Sequence, residues 1–148
     1  MEFYLHDSAA TEALGRLLGK HAASGDVFCL SGDLGAGKTL LSRGVAVALG
    51  AEAEDVNSPT FAIMNVYQGR ELEIRHFDLY RLNRPEELED IGFEEYAGGD
   101  GVTLIEWLSC SRRSCRRNIC RLLCCMMVKA VVPCCRLRVK DMKNCCGR

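Results

Sequence analysis

Hydrophobic positions near the start of the chain recur with a helical period. Ala10, Leu14, Leu17, Leu18 and His21 fall three or four positions apart, which predicts a helix over 8–23 with Asp7 or Ser8 as its cap. His21 reads there as a helix-face residue, not a ligand. The period then changes. Asp26-Val-Phe-Cys-Leu30 is a continuous apolar run of strand formers followed at once by glycines, which predicts a buried strand feeding a tight turn. A helical period returns over 38–49 through Leu40, Leu41, Val45 and Leu49, with Gly50 as its stop. Residues 51–60 are polar and irregular, and Asn57-Ser-Pro59 marks a loop. Two strands are predicted over 61–67 and 72–79 around the turn Gln68-Gly69-Arg70. Pro85 suits the first turn of a helix whose apolar face is Leu88, Ile91 and Tyr96 and which Gly98-Gly99 ends. Val102 to Ile105 is a further buried strand, closing on Glu106. Strands alternating with helices predict an α/β fold, a mostly parallel sheet flanked by helices.

Composition adds a boundary that periodicity does not show. The 148 residues are 48% hydrophobic and 26% charged, which excludes a disordered or fibrous chain. The formal net charge of -1 is the sum of two opposed parts. Residues 1–107 carry eight Lys and Arg against nineteen Asp and Glu, whereas residues 108–148 carry eleven basic residues against the single acid Asp141. Nine of the ten cysteines also follow residue 107, Cys29 being the exception. The acidic first part argues against gripping nucleic acid alone by phosphate neutralisation. No secretory signal is read at the N-terminus, and no run approaches the ~18 apolar residues of a membrane span. The expectation is a cytoplasmic protein without a membrane anchor, in which the cysteines do not imply a disulfide scaffold. The tail spacings Cys110, Cys115, Cys120 and Cys124 contain no C-x₂-C pair, and no aromatic follows Trp107, so neither a zinc module nor an RNA-stacking surface is expected there.

The chemistry begins at residues 32–39, Gly-Asp-Leu-Gly-Ala-Gly-Lys-Thr, which match G-x-x-x-x-G-K-[ST] between a predicted strand and a predicted helix. Glycines let successive backbone N–H groups turn toward phosphate oxygens, and the helix that follows offers its free N–H groups to the same anion. Lys38 can place its ammonium between terminal phosphates, and Thr39 can give its hydroxyl oxygen to Mg²⁺. Phosphoryl chemistry also needs a carboxylate near the metal, usually at a strand end. Asp78 and Glu106 each close a predicted strand and are the candidates. Thr60, after Ser58-Pro59, is a loop hydroxyl within reach of such a site. Trp107, the only tryptophan, suits either packing or stacking near a nucleotide.

Several motifs stand in order: the phosphate loop, Ser-Arg-Gly at 42–44, Ser-Pro-Thr-Phe at 58–61, His-Phe-Asp-Leu-Tyr-Arg-Leu at 76–82, Pro-Glu-Glu-Leu-Glu at 85–89 and Ile-Glu-Trp at 105–107. Together they resemble the TsaE family, also known as YjeE, small bacterial ATPases needed to make threonylcarbamoyladenosine in tRNA. The resemblance runs from about residue 5 to residue 107. It implies a P-loop NTPase-like fold in which Leu34, Gly35, Ala36, Gly37, Lys38 and Thr39 bind the phosphates of ATP. It further implies that Thr39 and Glu106 hold Mg²⁺ with Asp78 beside them, orienting the metal or the attacking water, and that Thr60 is a switch residue. The partners implied are the TsaB and TsaD proteins, with tRNA reached only through that complex. A P-loop small-molecule kinase is the alternative, although residues 51–107 offer no cluster of arginines for a lid. On this reading residues 1–107 are an incomplete P-loop ATPase domain. Charge, cysteine content and resemblance all change after Trp107, so the atypical residues 108–148 read as an out-of-frame tail without a strand period, leaving a sheet edge bare.

Overall fold

The computed structural model describes residues 2–107 other than 83, 85 and 98, together with 125–131 and 135–141. Its elements in chain order are β1 (Glu2–Leu5), α1 (Ser8–Lys20), β2 (Val27–Ser31), α2 (Lys38–Leu49), β3 (Met64–Gln68), β4 (Glu73–Asp78), α3 (Glu86–Asp90), α4 (Phe93–Tyr96), β5 (Val102–Trp107), β6 (Cys125–Val131) and β7 (Cys135–Asp141). One sheet has the order β1-β7-β6-β2-β5-β4-β3. Its four central strands, β6, β2, β5 and β4, run parallel. The antiparallel pairs lie toward the flanks, β1 with β7, β7 with β6 and β4 with β3.

Strand alternation sorts the core into two layers. Phe28, Leu30, Ile74, Val102 and Leu104 join Leu14 of α1 and Leu41 and Val45 of α2 on one face. Val27, Cys29, Phe77 and Ile105 join Leu88 of α3 and Phe93 of α4 on the other. Every residue of β2 is buried, as expected of a strand covered on both faces. The helices α1 and α2 cross closely through glycines, since a Cβ at Gly15 would lie 2.3 Å from the Leu41 carbonyl oxygen.

Local chemistry explains where element bounds depart from periodicity. Asp7 caps α1, its carboxylate accepting from the Ala10 amide at 2.7 Å. The helix ends at Lys20 rather than 23, because His21 and Ala22 tighten onto the Leu18 and Gly19 carbonyls and Asp26 Oδ2 takes the Ala23 amide at 2.9 Å. Strand β3 starts at Met64 rather than 61, because the Ile63 amide donates to the Pro59 carbonyl at 2.7 Å and Ile63 has φ 68°. The helix expected from Pro85 is two short ones, broken at Gly92 with φ 65°. Leu88 is buried as expected and Phe93 is buried beside it, whereas Tyr96 is exposed. The apolar segment Phe3-Tyr4-Leu5 is a strand that periodicity does not mark.

The tail departs most. Strands β6 and β7 lie where no strand period was expected, and β6 pairs with β2 along the edge expected to be bare. The reason is visible in the residues: 125–131 is apolar but for Lys129, and in β7 Leu137 and Val139 alternate with Arg136, Arg138 and Lys140. Of the tail cysteines, Cys110, Cys115, Cys120, Cys124, Cys134, Cys145 and Cys146 lie outside the described residues.

Candidate functional site

Strand β2 delivers the chain to the carboxyl end of the parallel strands, where the loop 32–37 turns it into α2. Gly35 and Gly37 adopt φ 78° and 81°, the left-handed region that a side chain disfavours. Gly37 is also the N-cap of α2 and leaves the first amides of that helix without a side-chain cap. Those amides, on a helix of twelve residues, are the donors that an anion would meet. Lys38 folds back across the loop, its ammonium donating to the Gly32 carbonyl at 3.0 Å and the Asp33 carbonyl at 2.8 Å. Burial holds the Lys38 pKa below the usual lysine range, and the nearby charges of Glu106, Asp78 and Asp33 offset only part of that.

The two carboxylates arrive from neighbouring strands. Asp78 and Glu106 are register partners at the ends of β4 and β5. Period two along these strands puts them, with His76, on the face that packs against α2. Glu106 is buried and its two oxygens have separate partners. Oε2 accepts from the Thr39 hydroxyl at 3.0 Å, and Oε1 accepts from Ser42 Oγ at 2.9 Å and lies 2.8 Å from His76 Nε2. Asp78 is held by the loop before β3: Oδ2 accepts from Thr60 Oγ1 at 2.8 Å and from Ser58 Oγ at 3.2 Å, while Oδ1 accepts from the Tyr80 amide at 3.0 Å.

A cleft of about 370 Å³ lies between these groups, lined by Leu34, Gly35, Ala36, Gly37, Lys38, Thr39, Thr60, Asp78 and Glu106 together with Leu40, Ser58 and Tyr80. It thus brings together every residue singled out for phosphate, metal and catalysis. Ser42, His76 and Ser58 were not singled out. Ser42 lies one helical turn beyond Thr39, and His76 two residues before Asp78, so spacing alone would have placed each beside a chosen residue. The side chain of Trp107 lies outside the described residues. Asp33, a loop residue without an expected role, faces Lys38 through its carbonyl.

The comparisons with known proteins agree with this geometry. The family model for the threonylcarbamoyl adenosine biosynthesis protein TsaE matches residues 5–124, past the point at Trp107 where the resemblance was expected to end. Curated relatives named tRNA threonylcarbamoyladenosine biosynthesis protein TsaE include one from Bacillus subtilis, 46% identical over 97 residues, which are 66% of this chain and 60% of that protein. One from Rickettsia felis is 40% identical over 103 residues, 70% of this chain and 60% of that protein. The chain therefore spans about three fifths of the length of these relatives. The crystal structure of Bacillus subtilis YdiB superposes with a TM-score of 0.69 at 27% identity, covering 97% of this chain and 86% of that one. With a phosphate loop, two strand-end carboxylates and a family match over most of its length, the chain belongs to the TsaE family.

Proposed function

We propose that the chain binds ATP with Mg²⁺ and hydrolyses it as a subunit of the assembly that forms threonylcarbamoyladenosine in tRNA. The observation that carries this reading is the contact of Thr39 with Glu106 across the cleft, at the end of a phosphate loop and with Asp78 in register. The donor set is hard oxygen throughout, and Mg²⁺ typically takes one or two carboxylates with the rest of its shell from phosphate and water. Thr39 and Glu106 would hold the ion, with Asp78 beside them orienting it or the attacking water. Bound there, Mg²⁺ supplies neutralisation of charge on the terminal phosphates. The amides of residues 34–39 receive the phosphates, and the Lys38 ammonium exchanges the Gly32 and Asp33 carbonyls for phosphate oxygens. Thr60 faces the same space as the switch residue. A small-molecule kinase would call for a lid bearing arginines, whereas the one cation among the described residues lining the cleft is Lys38.

That single cation also shapes the partnership. Arg81 lies over the Phe61 ring, 4.6 Å from its centroid, and Arg43 keeps a buried Nε without a partner; neither lines the cleft. We infer that the transition-state cation comes in trans, from a TsaB–TsaD pair whose transferase turnover this hydrolysis supports. Such a group is worth ~10³ or more in rate in other NTPases. Phosphate release is therefore expected to be slow from the isolated chain and to rise by about that factor with TsaB and TsaD present. Equal turnover with and without them would overturn the partnership. Among the described residues no helix is long and apolar enough to cross a membrane. We place the chain in the cytoplasm, with tRNA reached through its partners.

We also propose that residues 1–107 form the ATPase domain and that 108–148 are read out of frame. The swing in charge and cysteine content at one point supports this. Pairing through β6 asks only for extended backbone and apolar residues over 125–131, which does not require an evolved segment. Translating the coding DNA beyond Trp107 in the other two frames is the test. One frame should yield a cysteine-poor, less basic continuation, and its absence from both would refute the proposal.

A further inference from the structure

Behind the cleft lies a line of buried polar groups that the proposed hydrolysis leaves unused. His76 and Tyr67 stand on the antiparallel strands β4 and β3, 0% and 7% exposed, in the otherwise apolar layer under α2. Their rings are 6.0 Å apart. His76 Nε2 lies 2.8 Å from Glu106 Oε1, and since a carboxylate only accepts, that nitrogen carries the proton. His76 Nδ1 lies 3.2 Å from Tyr67 Oη. Tyr67 Oη has one proton to give, either to the Asn57 carbonyl at 2.9 Å or to His76 Nδ1, and it receives the Asn65 amide at 3.3 Å. Burial raises the Tyr67 pKa above its ordinary value, which keeps the hydroxyl a donor.

Asn57 opens the loop whose Ser58 and Thr60 hold Asp78. That loop ends on Ile63, a β-branched residue at φ 68°, a conformation that persists only where surrounding contacts enforce it. Two buried polar rings are unfavourable unless their polar atoms find partners, and an apolar pair would fill the same space without that demand. What the polar pair adds is a line of polar contacts from the loop to Glu106, with the Tyr67 proton serving Asn57 or His76 in turn.

We propose that Tyr67 and His76 are positioning residues that tie the 57–63 loop to Glu106, so that the side of the cleft bearing Thr60 and the side bearing Thr39 shift together. The connection rests on the nucleotide reading for its purpose but not for its existence. A group that moves Thr60 re-aims Glu106 through Asn57, Tyr67 and His76, and loss of Glu106 loosens a loop it does not touch.

The test is hydrogen exchange of the full chain without nucleotide, followed over peptides covering 57–66, with thermal melting to confirm that each variant is folded. Tyr67→Phe removes one hydroxyl, and Glu106→Ala removes the acceptor of His76. Each is expected to speed exchange of the loop several-fold, and the double variant to add nothing further, because both cut one line. Glu106→Gln keeps an acceptor and should exchange like the wild type. In a second readout, Mn²⁺ binding with a non-hydrolysable ATP analogue should weaken about tenfold in Tyr67→Phe while metal-free nucleotide binds unchanged. Unchanged exchange in folded Tyr67→Phe, or additive effects in the double variant, would overturn the proposal. Failure of the wild type to bind ATP with metal would instead overturn the nucleotide reading, and the exchange result, which needs no nucleotide, would still decide the link.

Discussion

Glu106 turns one oxygen toward Thr39 and the other toward Ser42 and His76, so its orientation is fixed from behind while its front edge faces the cleft. Glu106→Gln retains size and hydrogen-bonding capacity but loses the charge that Mg²⁺ needs. Calorimetry should still detect nucleotide binding in this variant, while phosphate release falls by about tenfold or more. Wild-type release would remove Glu106 from the proposed metal site. Lys38 gives a prediction in pH. Its charged form is the one that binds phosphate, and burial places its pKa below the usual lysine range. The affinity for ATP should therefore decline with rising pH before an ordinary lysine would lose its proton, as the free chain gives up the charge that binding must restore. A dissociation constant that stays flat through the usual lysine range would contradict this assignment.

The α1–α2 contact is where an element depends on missing side chains. A Cβ at Gly44 would lie 2.3 Å from the Glu12 carbonyl oxygen, and one at Gly15 equally close to that of Leu41. Backbone cannot yield as a side-chain end can, so Gly44→Ala should cost about 1–3 kcal/mol and lower the melting temperature accordingly. An unchanged melting temperature would mean that the helices can separate without loss. These helices, β2 and the phosphate loop were legible in the sequence because period and glycine placement are local signals. Asp78 and Glu106 were legible for the same reason, since one follows the strand-like Ile74 to Phe77 and the other closes the apolar Val102 to Ile105. The partnership of Glu106 with His76 was not, since it depends on the register of β4 against β5, and neither was the bond from Ser42 to Glu106, which needs α2 packed over that face. One break, Gly92, divides the expected helix after Pro85, so that Phe93 joins Leu88 in the core in place of Tyr96. In the tail, Arg and Lys masked a period of two that strand pairing uses in β7.

At the scale of the molecule, the parallel centre of the sheet gathers the phosphate loop, Asp78 and Glu106 at one end, and two apolar layers hold the strands that carry them. The acidic excess of residues 1–107 is in keeping with the proposal that tRNA is reached through partners and not by the chain's own charge. The proposals for hydrolysis and partnership all rest on ATP with Mg²⁺ occupying this cleft, which is itself proposed from the phosphate loop and the two carboxylates. The direct measurement is a calorimetric titration of ATP, with and without Mg²⁺, into the wild-type chain and into Lys38→Ala. Removing the ammonium deletes charge-assisted contacts worth about 1.5–3 kcal/mol, so binding should weaken by about ten- to a hundredfold or vanish in the variant. Binding of ATP–Mg to Lys38→Ala with wild-type affinity, or no binding by the wild type, would contradict the account.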